Sequence, residues 1–149
     1  LIPEALRQNL TRLVVGEVRG AEAGAMFEAM QSGAGTLSTT HSHSASSTLD
    51  RLAGPVAQGR VMSIEDAMRQ IAHHMDFVVH VTPQDDAWRG GTRRRFVSEV
   101  RQLTGSMEAG RATTHLVYRA GTDSQPELFQ PEAGMSAELA QFDRAALWA

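Results

Sequence analysis

Residues 13–20 read LVVGEVRG, and residues 36–43 read TLSTTHSH. Leu13, Val14 and Val15 make an apolar, largely β-branched run that stops at Gly16, the pattern of a short strand buried on both faces. The intervening AEAGAMFEAMQSG places Ala23, Met26, Phe27 and Met30 at i, i+3, i+4 and i+7, one face of a helix, with Gly33 positioned to end it. TLSTT then reads as a second strand. Strand, helix and strand within about 30 residues make a βαβ unit, whose two strands lie parallel. Ligands of such sheets bind beyond the carboxyl ends of the strands. Glu17 and His41 both fall there, so the sequence predicts that a carboxylate and an imidazole face one crevice.

Upstream, LIPEALRQNL reads as a helix entered through Pro3, a residue tolerated in the first turn. With no initiator methionine, the chain is expected to begin inside a larger protein. Downstream, Leu49, Leu52, Ala53 and Val56 mark one helix, limited in length by Pro55. Ser63 and Asp66 form the cap of another, with Ile64, Ala67, Met68, Ile71 and Met75 as its buried face. DFVVHV is read as a buried strand and PQDDAWRGGT as a turn-rich connection. RRRFVSEVRQL and TTHLVYRA are expected to be antiparallel strands separated by TGSMEAG. Beyond Gly121, Pro126 and Pro131 interrupt any long element, and SAELAQFDRAALW allows a short terminal helix through Leu139, Phe142 and Ala146.

A chain of 149 residues with 42% hydrophobic content can bury one domain's core. A net charge of -3 gives no basic field of the kind that drives duplex binding, so no nucleic-acid partner is expected. There is no cysteine, hence no disulfide framework or thiolate metal site, which fits a reducing cytoplasm. No run approaches the roughly 20 apolar residues of a membrane span. All 14 basic residues are arginine, so no phosphate-loop lysine exists in this chain. His41, His43, His73 and His74 lack a placed carboxylate, and no metal site is assigned to them. The serines from Ser42 to Ser47 offer helix capping before they offer a nucleophile. Met26, Met30, Met68 and Met75 sit at core spacing. Arg93, Arg94 and Arg95 read as the flank of a solvated strand, with an acidic partner or membrane surface as the functional alternative.

The ordered succession LVVGEVRGAEAGAMFEAMQSG, GTLSTTHSHSASSTLDRL, RQIAHHMDFVVHV and RRRFVSEVRQLTG, from about Ala5 to Gly105, resembles the C-terminal half of the motor domain of type II and type IV secretion ATPases. Within that family it looks most like the branch serving Tad/Flp-type pilus assembly. The resemblance implies an α/β fold, the C-terminal portion of a RecA-like phosphate-loop ATPase core over residues 1–105, with a small antiparallel extension and tail over 106–149. It implies that VVGEVRG is the Walker B segment with Glu17 as its acid, and that STTH is a histidine box ending in His41. Arg7 matches an arginine of the helix before Walker B, and Arg51 the arginine after the histidine box. The family's Walker A loop lies upstream of such a segment. Leu10 and Thr11 stand where the family commonly has Pro-Asp, Ala34 where it has a polar residue, and the glycine loop before TLSTTH is one residue short.

By the same resemblance the whole protein would use ATP and Mg2+, assemble as a homo-hexamer, and work in the cytoplasm against platform proteins at the inner face of the cell membrane. The residues themselves suit that chemistry. A carboxylate at a strand end can polarise an attacking water or hold a metal's hydration shell, and a neighbouring histidine can sense a γ-phosphate. Arg19 suits either a phosphate or an acidic group of the next subunit. Each has a plainer reading: Glu17 as a mere strand end, His41 as a hydroxyl-satisfied histidine before a helix. A non-catalytic subunit that keeps the fold but lacks a phosphate loop is the alternative function.

Overall fold

Arg12–Val15 form strand β1, Glu22–Gln31 helix α1 and Gly35–Ser38 strand β2. The strands pair in parallel, from Arg12 opposite Gly35 to Val15 opposite Ser38, as the strand–helix–strand spacing requires. The computed structural model describes residues 4–5, 7–8, 10–20, 22–32, 35–58, 62–120 and 127–128. The expected end of α1 at Gly33, most of the N-terminal helix and the C-terminal helix of SAELAQFDRAALW lie outside the described residues.

The core is built from helices. Helix α1 buries Ala23, Met26, Phe27 and Ala29; helix α2, Ala45–Gln58, buries Leu49, Leu52, Ala53 and Val56; helix α3, Ile64–His74, buries Ala67, Met68, Ile71 and Ala72. Phe27 and Ile71 are among the largest side chains fully removed from solvent, and each such burial contributes roughly 1.5–3 kcal/mol. Helix α3 starts where its sequence says it should: the Ser63 hydroxyl accepts from the Asp66 amide at 3.0 Å. Glu65 and Asp66 then sit in the positive first turn.

Strands β3 (Phe77–Asp85), β4 (Arg93–Glu108), β5 (Arg111–Arg119) and β6 (Glu127–Leu128) form an antiparallel sheet in that order, with a short 3-10 turn, Ala87–Arg89, after β3. Helix α3 packs on β4 and β5, and Val78, Leu103 and Ala112 join the helical core. The β4–β5 connection is a tight hairpin whose central residues, Ala109 and Gly110, both have positive φ (48° and 77°), the twist-matched geometry of two-residue loops.

Several expectations need correction. β1 is not buried on both faces: Val14 is 69% exposed and faces solvent opposite Leu37 of β2, itself 63% exposed. Among the described residues, no helix covers the face that carries Val14 and Leu37. Pro55 lies inside α2, which continues to Gln58, because Leu52, Ala53 and Val56 anchor that turn in the core. Ile64 is 58% exposed although it shares a face with Ala67, Met68 and Ile71, because as the first residue of α3 it stands at the end of the buried stripe. DFVVHV is an edge strand with only Val78 buried, while Val79 and Val81 face out. Being at the edge, it also accommodates Pro83. TGSMEAG is mostly strand. Position 105 falls inside β4, and the antiparallel sheet has four strands against two in the parallel sheet among the described residues.

Candidate functional site

β1 ends at Val15 and β2 at Ser38, partners in the ladder, so the residues just beyond both strands leave the sheet on the same side. Three hydrogen bonds hold these exits together. The Val18 amide donates to the Thr39 carbonyl at 2.8 Å. The Thr40 hydroxyl donates to the Val18 carbonyl at 2.9 Å, and the Thr39 hydroxyl to the Gly16 carbonyl. Val18 itself is buried, which pins the turn from below. Glu17 sits in the middle of this stapled turn and cannot swing away without breaking the bonds on either side of it.

The consequence is that Glu17 and His41 meet. His41 Nε2 lies 3.2 Å from Glu17 Oε1, and Arg19 Nη2 lies 2.5 Å from Glu17 Oε2. The two carboxylate oxygens are not equivalent. Oε2 is neutralised by the guanidinium. Oε1 is shielded from solvent yet has no aligned hydrogen bond, since the histidine is near but not directed along a lone pair. A buried acceptor left open in this way is costly in an ordinary fold and is the kind of group that takes a water or ligand. The Arg19 hydrogen bond, with the positive fields of Arg19, His41 and Arg51, holds the Glu17 carboxyl below the usual glutamate range despite an opposing desolvation. The Glu17 carboxylate is therefore held in its charged form, able to order a water.

An open groove beside the pair is lined by His41, Ser42, His43, Ser47, Asp50 and Arg51. The serines cap α2 as expected: Ser44 Oγ accepts from the Ser47 amide at 3.1 Å while Ser47 Oγ accepts from the Ser44 amide at 3.0 Å. Arg51 is exposed on the groove wall and contributes its charge to Glu17. Asp50 is engaged at the surface by Arg111 of β5 at 2.5 Å. Arg7, exposed in the turn before β1, makes no ion pair with Glu17 among the described residues. Arg93 pairs with Asp85 at 2.7 Å along the exposed strand edge. Three residues carried no individual signal in the sequence. Thr39 and Thr40 resemble ordinary strand-end threonines until the register shows their hydroxyls reaching the β1 exit. His80, from β3, places its ring against the Ser42 carbonyl, a contact between residues 38 apart in sequence that the packing of helix α2 on β3 makes possible.

With that geometry in hand, comparison with known proteins is informative. The family model for type II/IV secretion system protein matches residues 1–120. Among solved structures, the chain is similar to the VirB11 ATPase of the Brucella suis type IV secretion system, determined in complex with sulphate. That similarity has 32% identity and a TM-score of 0.59, over 68% of this chain and 30% of that one. The chain thus spans under a third of the VirB11 ATPase's length. Curated protein sequences gave no significant match. Among the described residues, no helix is long and apolar enough to cross a membrane.

Proposed function

The chain belongs to the type II/IV secretion system protein family, and on that premise we propose that it is the C-terminal portion of a RecA-like motor core that hydrolyses ATP to drive pilus assembly of the Tad/Flp kind or a related secretion step. The observation that carries the reading is the meeting of Glu17 and His41 at 3.2 Å beyond two paired parallel strands. Glu17 is the Walker B acid. Its open oxygen, Oε1, fits an attacking water or the hydration shell of Mg2+, because it is the one lone-pair set in the pair that no protein donor satisfies. Bound Mg2+ would supply neutralisation of the phosphate charge. His41, on the groove side of Glu17, reads the terminal phosphate, and Arg19 and Arg51 add positive charge where phosphate oxygens would gather. Arg7 and Arg51 are assigned to a phosphate or to an adjoining subunit of a homo-hexamer.

The solvent-facing pair Val14 and Leu37 supports a sheet that continues in a longer protein, where further strands and helices would cover that face. Such a protein would act in the cytoplasm, peripherally on the inner face of the membrane, with platform proteins there as its partners. Residues 1–105 then belong to the motor core and 106–149 to a C-terminal extension. The absence of lysine from this chain keeps one second reading in play, a non-catalytic subunit that retains the motor fold without a phosphate loop. Reading the coding sequence upstream of Leu1 and assaying phosphate release by the longer product separates the two. A GxxxxGK[ST] loop together with Mg2+-dependent ATP hydrolysis is the expected result. A longer product with neither the loop nor hydrolysis would establish the non-catalytic subunit.

A further inference from the structure

The polar cluster that links the antiparallel sheet to the groove is not accounted for by the site as described. β4 carries one extra residue opposite β3: Glu99 faces His80 and Val97 faces Val81, leaving Ser98 unpaired between them. A bulge of this kind bends the strand and re-aims its neighbours. On the other side of β4 the Ser98 carbonyl accepts from the Ala120 amide at 3.0 Å, which continues the pairing with β5 past Arg119 and holds the bulged residue in place. The Ser98 hydroxyl lies 2.9 Å from His80 Nδ1 and receives the Thr82 hydroxyl at 2.7 Å. The other ring nitrogen, His80 Nε2, lies 3.3 Å from the Ser42 carbonyl, one residue beyond His41.

We propose that His80 is a positioning residue, held by Ser98 and Thr82, whose Nε2–H clasps the Ser42 carbonyl and so fixes where His41 stands relative to Glu17. The hydrogen-bond directions support this. A carbonyl only accepts, so Nε2 must carry the proton. With Nδ1 unprotonated, the Ser98 hydroxyl donates to it and accepts from Thr82. With Nδ1 protonated, Nδ1–H donates to Ser98, whose own proton turns to the His80 carbonyl, 3.2 Å away. In both states the bond to Ser42 survives, so the clasp is a fixed strut and not a proton switch. It extends the staple described above. The threonine hydroxyls tie residues 39 and 40 to the β1 exit, and the bond to Ser42 acts one residue beyond His41, whose imidazole is 82% exposed. The antiparallel sheet supplies that restraint, and a second tether, Arg111 to Asp50, fixes the following helix to the same sheet.

This inference rests on the proposed reading of Glu17 and His41 as the hydrolytic site, and the experiment separates the two. In the longer protein, His80→Leu removes the donor, whereas His80→Gln keeps an N–H at about the position of Nε2. Amide exchange by mass spectrometry over residues 39–44 is compared with the Leu103 amide, which bonds Asp76 in the sheet core. Steady-state ATP hydrolysis is measured alongside. His80→Leu is expected to accelerate exchange over 39–44 but not at Leu103, and to lower kcat about 10- to 100-fold with KM for ATP unchanged, as for a misplaced catalytic group. His80→Gln should restore both. Unchanged exchange over 39–44, a rise spread equally to Leu103, or a Gln variant no better than Leu would overturn the clasp. If Glu17→Gln left hydrolysis intact while the exchange pattern held, the hydrolytic reading would fail and the clasp would stand as a purely structural restraint.

Discussion

Replacing Thr39 and Thr40 by valine tests whether the side-chain staples set the Glu17 turn. Valine keeps the β-branched shape and nearly the same volume, so the strand exits are not otherwise disturbed. What is lost is the Thr40 hydroxyl bond to the Val18 carbonyl and the Thr39 hydroxyl bond to the Gly16 carbonyl. The first is partly buried and should contribute about 0.5–1.5 kcal/mol net; the second is exposed and belongs at the low end of that range. Together they come to about 1–2 kcal/mol, or about a 5- to 30-fold change in the local opening equilibrium. The Val18 amide is a direct reporter, because it donates to the Thr39 carbonyl at 2.8 Å and its residue is 3% exposed. Hydrogen exchange followed by NMR should show that amide accelerated 5- to 30-fold, roughly as estimated from those two bonds, with Met75, whose amide bonds Ile71 on α3, unchanged. Equal exchange of Val18 in the double variant and the parent would show that packing alone holds the turn.

Arg19→Ala should raise the Glu17 pKa, since the Arg19 hydrogen bond is the main cause of its depression. A group with a depressed folded pKa stabilises the fold above its unfolded pKa and loses that contribution as pH falls through the folded value, so the variant should also lose stability less steeply in acid; an NMR titration of the Glu17 carboxyl carbon with no shift would refute this. Ile71→Ala removes a fully buried side chain at the centre of α3 and should cost about 2–5 kcal/mol in denaturant unfolding, a loss under about 1 kcal/mol being inconsistent with the core described. The 149-residue chain alone should bind Mg-ATP no tighter than about millimolar, worth about 4 kcal/mol, because it contains no lysine for a phosphate loop; a stoichiometric micromolar site in calorimetry would mean that it forms a nucleotide pocket by itself.

Much of the arrangement was legible in the sequence because local signals agreed. The i, i+3, i+4, i+7 spacing of Ala23, Met26, Phe27 and Met30 fixed the face of α1, and the strand–helix–strand length required parallel pairing, which in turn placed Glu17 beside His41. Ser63 gave the start of α3. Apolar runs report that a strand is hydrophobic and not which of its faces is covered, so Val14, Val79 and Val81, which read as buried, stand outside. Pro55 reads as a stop because propensity is local, whereas Leu52 and Val56 of the same helix anchor that turn in the core. The contact of His80 with Ser42 spans 38 residues and depends on a one-residue bulge at Ser98, which no periodicity reveals.

The most direct test of the central claim is single-turnover ATP hydrolysis by the longer protein carrying Glu17→Gln, with nucleotide affinity measured in parallel. Glutamine keeps the shape of the side chain but removes the charge that would order and deprotonate water. Hydrolysis is expected to fall by about 10²-fold or more while ATP binding persists. Turnover near the parent rate would contradict the assignment and return Glu17 to the role of a strand end.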